Sequence, residues 1–290
     1  MSWGNKNEDD KMVLKITTLI ENKPGINSEL YYEHGLSLYI EAGKIKILFD
    51  TGQSGDFVKN AELLKVDLSK LDYVLLSHGH YDHSGGFKKF ANKFKEPYKL
   101  IVGKDFFNSK YKSIDEEIYK YNGNSFDESF IDKNNILINY IKEDIYYISE
   151  NIMVFSNFKS SNDFELLNQK FRIKHNEKYI LDKFQDEIAL AIKVDKGLVV
   201  IVGCSHVGIV NILETVMKRT NMPIYGVIGG THLVEADSFR LNKTIDFFKE
   251  NDIKILRMSH CTGEKAVERI KLEFGERFKY NNTGNVINFG

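Results

Sequence analysis

Cysteine and proline are scarce in this 290-residue chain, which has two of the first and three of the second. Two cysteines, Cys204 and Cys261, cannot form a disulfide framework, and a histidine stands near each (His206 and His260), which suits a reduced compartment. No apolar run approaches the roughly 20 residues needed to cross a bilayer, so no membrane span is expected. The first ten residues are polar and carry Glu8-Asp9-Asp10, without the basic start and apolar centre of a signal peptide. A cytoplasmic location is the default expectation. Charge of neither sign dominates, with 40 basic and 41 acidic residues and a formal net charge of −1. This disfavours nucleic acid, whose binders usually carry a basic excess. No Gly-x-Ser-x-Gly element occurs, so a serine nucleophile and its covalent intermediate are not expected. Scarce proline beside abundant Lys, Asn and Ile reads as nucleotide-composition bias and says nothing about function.

What is present is the composition of a globular protein, 42% hydrophobic and 28% charged. The length allows one large two-layer domain or two modest ones. Met12–Leu19 reads as a first strand, and Leu36–Ile40 and Ile45–Phe49 flank Ala42-Gly43 as a hairpin. Asp56–Val66 has helical spacing, Leu71–Leu76 is a strand, Gly86–Phe94 a helix and Tyr98–Val102 a strand. The second half repeats the rhythm. Ile188–Val194 and Leu198–Val202 form a hairpin over Asp195-Lys196-Gly197. Helices follow at Ile209–Lys218, Ser238–Glu250 and Glu264–Phe274, with strands at Tyr225–Ile228 and Ile253–Met258 between them. Asp237 or Ser238 is the expected cap of the middle helix. The pattern predicts an α+β protein in which two mixed sheets pack face to face with helices outside.

Between the halves, about residues 104–184, lies a segment of different character. It holds 16 of the 35 Phe and Tyr residues. A small satellite core is the preferred reading, because aromatics dominate cores. A lid or pocket wall is the functional alternative, and the same residues can serve both.

The most informative stretch is Ser77-His78-Gly79-His80-Tyr81-Asp82-His83-Ser84-Gly85-Gly86, directly after the apolar Tyr73-Val74-Leu75-Leu76. Three imidazoles and a carboxylate within six positions are the donors that zinc, iron and manganese accept. As a merely hydrogen-bonded loop the cluster makes little sense, since crowded imidazoles repel one another once protonated. Further ligands should come from other strand ends. Asp50-Thr51-Gly52, Gly203-Cys204-Ser205-His206, Gly229-Gly230-Thr231-His232 and Ser259-His260-Cys261-Thr262-Gly263 all follow apolar runs. His260 ranks first among these and His206 next. Cys204 is a rival ligand, or a small buried residue. His232 is assigned to substrate contact first, and Asp50 to orienting a ligand histidine. His34 either lines the pocket or lies on the surface, and His175, among charged neighbours, is expected to be solvated.

These residues resemble the metallo-β-lactamase-fold superfamily, whose His-x-His-x-Asp-His signature follows a strand and precedes a helix. Within it the chain is similar to the subgroup of dihydropterin–ribofuranosylaminobenzene phosphate synthase-like metal-dependent hydrolases. Glu33-His34-Gly35-Leu36-Ser37, Leu48 through Ser54, Ser77 through Gly86, Gly203 through His206, Gly229 through Leu233 and His260 through Gly263 carry that likeness. The resemblance implies an αββα sandwich as a single domain over 1–290, with an inserted cap-like segment at about 104–184. It implies one or two divalent metals at the rim, zinc first, with iron or manganese as alternatives. His78 and His80 would serve one metal, and Asp82, His83 and His260 the other. The chain departs from the family pattern in the middle. The turn that usually holds a histidine reads Gln185-Asp186-Glu187, and the bridging position holds Cys204. Either Asp186 or Glu187 stands in as a ligand, or His206 folds back to replace the missing histidine.

The leading expectation is a metal-dependent hydrolase of a small phosphorylated or ester substrate. Asp82 would bind metal and take up a proton, His232 or His34 would steady the leaving group, and Thr262 would be a further substrate contact. The alternatives are the pterin-forming synthase of the subgroup's name, which should show basic contacts near its pocket, and a non-catalytic metal-containing sensor. A small-molecule partner is expected, with no nucleic acid or membrane. A homodimer is compatible with the sequence, but no patterning points to one.

Overall fold

The computed structural model describes residues 12–115 and 117–289. The polar start read from residues 1–10 lies outside the described residues. In chain order the first elements are β1 (Leu14–Ile20), β2 (Ser37–Ala42), β3 (Ile45–Phe49), α1 (Phe57–Leu63), β4 (Tyr73–Leu76), α2 (Tyr81–Ser84), α3 (Phe87–Lys93) and β5 (Lys99–Gly103). The aromatic segment contributes β6 (Lys110–Ser113), β7 (Tyr119–Tyr121), α4 (Glu128–Lys133), β8 (Leu137–Ile141), β9 (Ile145–Ser149), β10 (Ile152–Phe155), β11 (Phe171–His175) and β12 (Lys178–Leu181). The remainder is β13 (Ala189–Val194), β14 (Gly197–Val202), α5 (Ile209–Thr220), β15 (Ile224–Gly230), α6 (Ser238–Glu250), β16 (Ile255–Ser259), α7 (Glu264–Phe274) and β17 (Val286–Phe289).

A seven-stranded sheet runs β17-β1-β2-β3-β4-β5-β8, and a six-stranded sheet runs β16-β15-β14-β13-β10-β9. Three apolar cores define four layers. The middle core joins the inner faces of the two sheets, with Ile47, Phe49 and Leu75 from one and Leu190, Val199 and Ile201 from the other. A second core packs Phe57, Val58 and Ala61 of α1 and Phe87 and Phe90 of α3 on the outside of the first sheet. The third packs Ile209, Ile212 and Leu213 of α5, Ile245 and Phe248 of α6, and Ile270 of α7 on the outside of the second. The architecture is therefore an αββα sandwich.

Side chains alternate across a strand, and both faces of these sheets are covered, so the central strands read as unbroken apolar runs. In β4, Leu75 enters the middle core while Val74 and Leu76 enter the outer one. In β14, Val199 and Ile201 point inward while Leu198, Val200 and Val202 point toward the helices. Each fully buried side chain of this size stabilises the fold by roughly 1.5–3 kcal/mol.

The aromatic segment is not one inserted body. β8 completes the seven-stranded sheet beside β5, and β9 and β10 complete the six-stranded sheet beside β13. Only the outer parts form a separate four-stranded sheet, in the order β12-β11-β6-β7. Part of the segment's apolar content thus belongs to the main cores, with Ile141, Ile152 and Val154 in the middle one. β17, which pairs antiparallel with β1, was not anticipated from the sequence.

Candidate metal centre

β3, β4 and β5 run parallel, as do β14, β15 and β16, so each set presents its C-terminal ends on one sheet edge. The loops leaving four of these ends turn through left-handed residues: Asp50 after β3 (φ 59°), Ser205 after β14 (φ 61°), His232 after β15 (φ 47°) and His260 after β16 (φ 53°). Such conformations cost a non-glycine residue on the order of 1–3 kcal/mol and concentrate at functional sites. The two edges meet closely where Gly203 lies against Ser77. A Cβ at Gly203 would stand 2.1 Å from Ser77 Oγ, so only glycine fits there.

The imidazoles converge in two groups. His78 Nε2 lies 3.0 Å from His80 Nδ1 and 3.2 Å from His206 Nε2. Beside this trio, His83 Nε2 stands 3.1 Å from both Cys204 Sγ and His260 Nε2. Asp82 Oδ2 is 3.3 Å from His260 Nε2, 3.1 Å from His34 Nε2 and 3.8 Å from His83 Nε2. Cys204 Sγ groups with His78 and His83 on one side and with His260 and Cys261 on the other, each set spanning no more than 4.8 Å. It therefore sits between the two groups.

Acceptors behind the cluster hold its histidines in place. Asp50 Oδ1 accepts the Ser77 backbone N–H at 2.7 Å, and Oδ2 takes Ser77 Oγ at 2.7 Å and His83 Nδ1 at 2.6 Å. The Ser77 hydroxyl donates to Asp50, so it is left to accept from His78 Nδ1, 2.9 Å away. That fixes the proton of His78 on Nδ1 and leaves Nε2 as a bare lone pair facing its neighbours. His260 is held by Asn22 Oδ1 at Nδ1 (2.8 Å) and by Glu21 Oε1 at its backbone N–H (2.7 Å).

The donor set suits a divalent cation. Burial, reinforced by the neighbouring imidazoles, pushes the pKa of His78, His80 and His206 well below the ordinary 6.5. The Lys110 charge acts in the same direction on His78 and His80. These rings are neutral, the form that ligates metal. His80 Nε2 is buried without a hydrogen-bond partner. Burial raises the Asp82 carboxyl, but His83, His260 and His34 outweigh it and hold the group well below the usual carboxylate range. Burial lowers His83, but Asp50 and Asp82 overcome it and raise this ring to about 9. Burial and the neighbouring Cys261 push the Cys204 thiol up.

Seven of the eight histidines gather in or against this centre; His175 lies exposed on β11, beside Asn176. His206 is the histidine that completes the trio with His78 and His80. Asp186 and Glu187, weighed as substitutes, face other partners. Asp186 Oδ2 accepts the Gly79 N–H at 2.7 Å, and Oδ1 accepts from the buried Lys110 at 2.9 Å. Both Glu187 oxygens are engaged by the backbone N–H groups of His206 (2.8 Å) and Val207 (2.9 Å). These carboxylates shape the loops that carry the histidines and are not in the cluster. Thr262 is fully buried, donating to the Ser259 carbonyl and pairing with Thr231, and it is not among the residues that line the cleft at the cluster. His34 lies at the mouth of the site, its side chain 53% exposed, with its ring 4.9 Å from His260. His232 stands 4.5 Å from the His206 ring, and burial lowers it to about 4, so it is a neutral hydrogen-bonding group.

The cluster floors an open cleft of about 800 Å³. His80, Asp82, Cys204, His206, His232 and His260 face it from the sandwich edge. Lys112, Lys120, Tyr121 and Phe171 face it from the four-stranded sheet. Phe171 packs against His80 (5.2 Å between ring centroids) and His206 (5.0 Å). The aromatic segment thus supplies a pocket wall as well as core. Sequence reasoning missed Lys112, Lys120, Glu21 and Asn22; none lies in a local pattern of ligand residues.

Residues 31–210 match the Metallo-beta-lactamase superfamily. The chain belongs to the metallo-beta-lactamase superfamily. The chain is 31% identical over 298 aligned positions to a protein from Methanocaldococcus jannaschii named 7,8-dihydropterin-6-methyl-4-(beta-D-ribofuranosyl)-aminobenzene-5'-phosphate synthase. That match covers 95% of this chain and 97% of the relative. It is 34% identical to an uncharacterized protein of the same archaeon, over 89% of this chain and 94% of that one. The crystal structure of Tm1679, a metal-dependent hydrolase of the beta-lactamase superfamily, superposes with a TM-score of 0.81 at 30% identity, covering 94% of this chain and 98% of that one. Metallo-beta-lactamase folds bind divalent metal, and the His, Cys and Asp groups here provide donors for it. Among the described residues no helix is long and apolar enough to cross a membrane.

Proposed function

We propose that this protein is a metal-dependent hydrolase of a small phosphorylated or ester substrate. The observation that carries the reading is the convergence of His78, His80 and His206 beside Asp82, His83, Cys204 and His260 at the floor of an open cleft. In this reading the three histidines hold one divalent cation, zinc first. Asp82, His83 and His260, with Cys204 between the groups, hold a second. A bound cation supplies Lewis acidity at the cleft floor and makes water a stronger nucleophile near neutral pH. The protein's own residues do the rest. Asp50 and Ser77 fix the tautomers of His83 and His78. Asp82, kept ionised, is placed to receive a proton at its carboxylate. His232, neutral and beside His206, donates or accepts a hydrogen bond at the leaving group, and His34 shields the open side of Asp82. Phe171 and the four-stranded sheet exclude water from one flank. The substrate is a small molecule, with neither nucleic acid nor membrane required, and a reduced cytoplasmic setting suits two free cysteines at the site.

One observation favours a second reading. The relative named as a pterin-product synthase matches nearly the whole chain at 31% identity. The same centre would then promote a condensation between a dihydropterin diphosphate and a phosphorylated aminobenzene riboside, with release of pyrophosphate. A turnover screen separates the two. Samples loaded with zinc, manganese or iron are offered phosphodiesters, phosphomonoesters, lactones and thioesters, and in parallel the two synthase substrates. Hydrolysis of the first set supports the lead; product formation only from the second pair replaces it. Inertness toward both would leave a non-catalytic sensor.

A further inference from the structure

The wall of the cleft carries two lysines in an unusual relation. Lys112 on β6 and Lys120 on β7 are direct cross-strand partners, and both line the cleft. Like charges opposite each other in an antiparallel pair are destabilising. Among the described residues no carboxylate lies within ion-pair distance of either ammonium, whereas in the same sheet Lys110 has two (Asp182 and Asp186) and Lys174 has one (Glu177). Lys112 Nζ lies over the Phe171 ring, 5.6 Å from its centroid.

The register places this pair relative to the metal centre. Phe171 on β11 is the cross-strand partner of Lys112, so Phe171, Lys112 and Lys120 form one row across three strands, on one face of the sheet. Phe171 touches the rings of His80, His206 and His232. Strands are spaced about 4.8 Å apart. The two lysines therefore stand one and two strand steps from the side chain that contacts the imidazoles. An anion bound between them lies beside the reacting centre and not in it. Two ammonium groups match the charge of a phosphate monoester dianion, which each can contact with a charge-assisted hydrogen bond.

We propose that Lys112 and Lys120 form a phosphate clamp that selects phosphorylated substrates, holding a phosphate group remote from the bond that reacts. This deepens the reading above and rests on it for the reaction, but the clamp is tested by binding alone. Binding energy from such a remote group orients the reacting part of a substrate over the cations. Ile114 and Tyr121 line the same stretch of wall and supply apolar surface for the body of the molecule.

The experiment titrates inorganic pyrophosphate, a phosphoryl anion large enough to span the pair, into the metal-loaded protein by calorimetry. Compared with wild type are K112Q/K120Q, the charge-conserving K112R/K120R, and K174Q, which removes a lysine of the same sheet that pairs with Glu177. The expected result is a Kd weakened at least tenfold in K112Q/K120Q, within about threefold of wild type in K112R/K120R, and unchanged in K174Q. Metal content stays unchanged in all. Two results overturn the proposal: no saturable binding to wild type, or an unchanged Kd in K112Q/K120Q, which would mean that the cations hold the anion alone. A failed turnover screen would remove the catalytic reading and leave a weakened Kd standing. An unchanged Kd would remove the clamp and leave the hydrolase.

Discussion

Asp50 Oδ2 lies 2.6 Å from His83 Nδ1, and neither side chain is reached by solvent. This contact joins the end of β3 to the histidine-bearing loop after β4, and it keeps the Nε2 atom of His83 aimed at Cys204 and His260. Outer partners of this kind commonly contribute 10–100-fold to metal affinity. In D50A the His83 ring loses its anchor, and Ser77 loses the acceptor of both its N–H and its hydroxyl. Metal affinity, measured by competition with a chromogenic chelator, should fall by about 10–100-fold. Unchanged affinity would mean that His83 is not a ligand.

Glu187 acts on the opposite side. Its carboxylate satisfies the backbone N–H groups of His206 and Val207, and burial raises its pKa to about 7 despite those contacts. E187A leaves two buried donors unpaired. Urea denaturation should show a loss of about 2–4 kcal/mol, with E187Q intermediate because one acceptor remains. Equal stability of E187A and wild type would show that the His206 turn does not depend on this carboxylate.

Lys110 is buried between Asp182 (2.7 Å) and Asp186 (2.9 Å). Removing one partner of a buried charge network leaves the others uncompensated and costs about 3–5 kcal/mol. K110M should therefore destabilise by about that amount. K110M/D182N/D186N, which removes the orphaned charges, should recover part of it. A triple variant less stable than K110M would refute the electrostatic account.

The metal-free protein should be sensitive to acid. His78, His80 and His206 have folded pKa values well below 6.5 because they are buried. Below pH 6.5 the unfolded chain takes up protons that the folded chain refuses, so stability falls as pH drops through that point. The limiting slope is about 1.4 kcal/mol per pH unit for each proton. His83 has the opposite sign. Raised to about 9, its contribution is complete below 6.5 and is lost as pH climbs from there through 9. Denaturation in excess chelator, from pH 8 down to 5.5, should show the acid loss. A flat profile would mean that the imidazoles are not buried as neutral groups.

Much of this molecule was legible in its sequence because the relevant signals are local. β4 and β14 are buried on both faces and appear as uninterrupted apolar runs. The helix Glu264–Phe274 shows its 3.6-residue spacing and begins after Gly263, whose φ of 82° suits glycine. His78 through His83 lie in six consecutive positions. What escaped was set by pairing over distance. Glu21 and His260 are 239 residues apart in the chain, and no periodicity links them. β8, β9 and β10 enter the main sheets from within an aromatic stretch whose composition resembles a separate unit. Asp186 and Glu187 had the right chemistry for ligands, but Lys110 and the backbone of the His206 turn claim their oxygens, and neither claim leaves a trace in spacing.

The central claim is that imidazoles from three separate strand ends converge on shared divalent cations, and elemental analysis of protein purified without added metal tests it most directly. The account predicts about one to two equivalents of a transition metal in wild type, and a clear loss in both H80A and H206A with the fold retained by circular dichroism. Full metal retention in both variants, or metal-free wild type that binds none on addition, would contradict it.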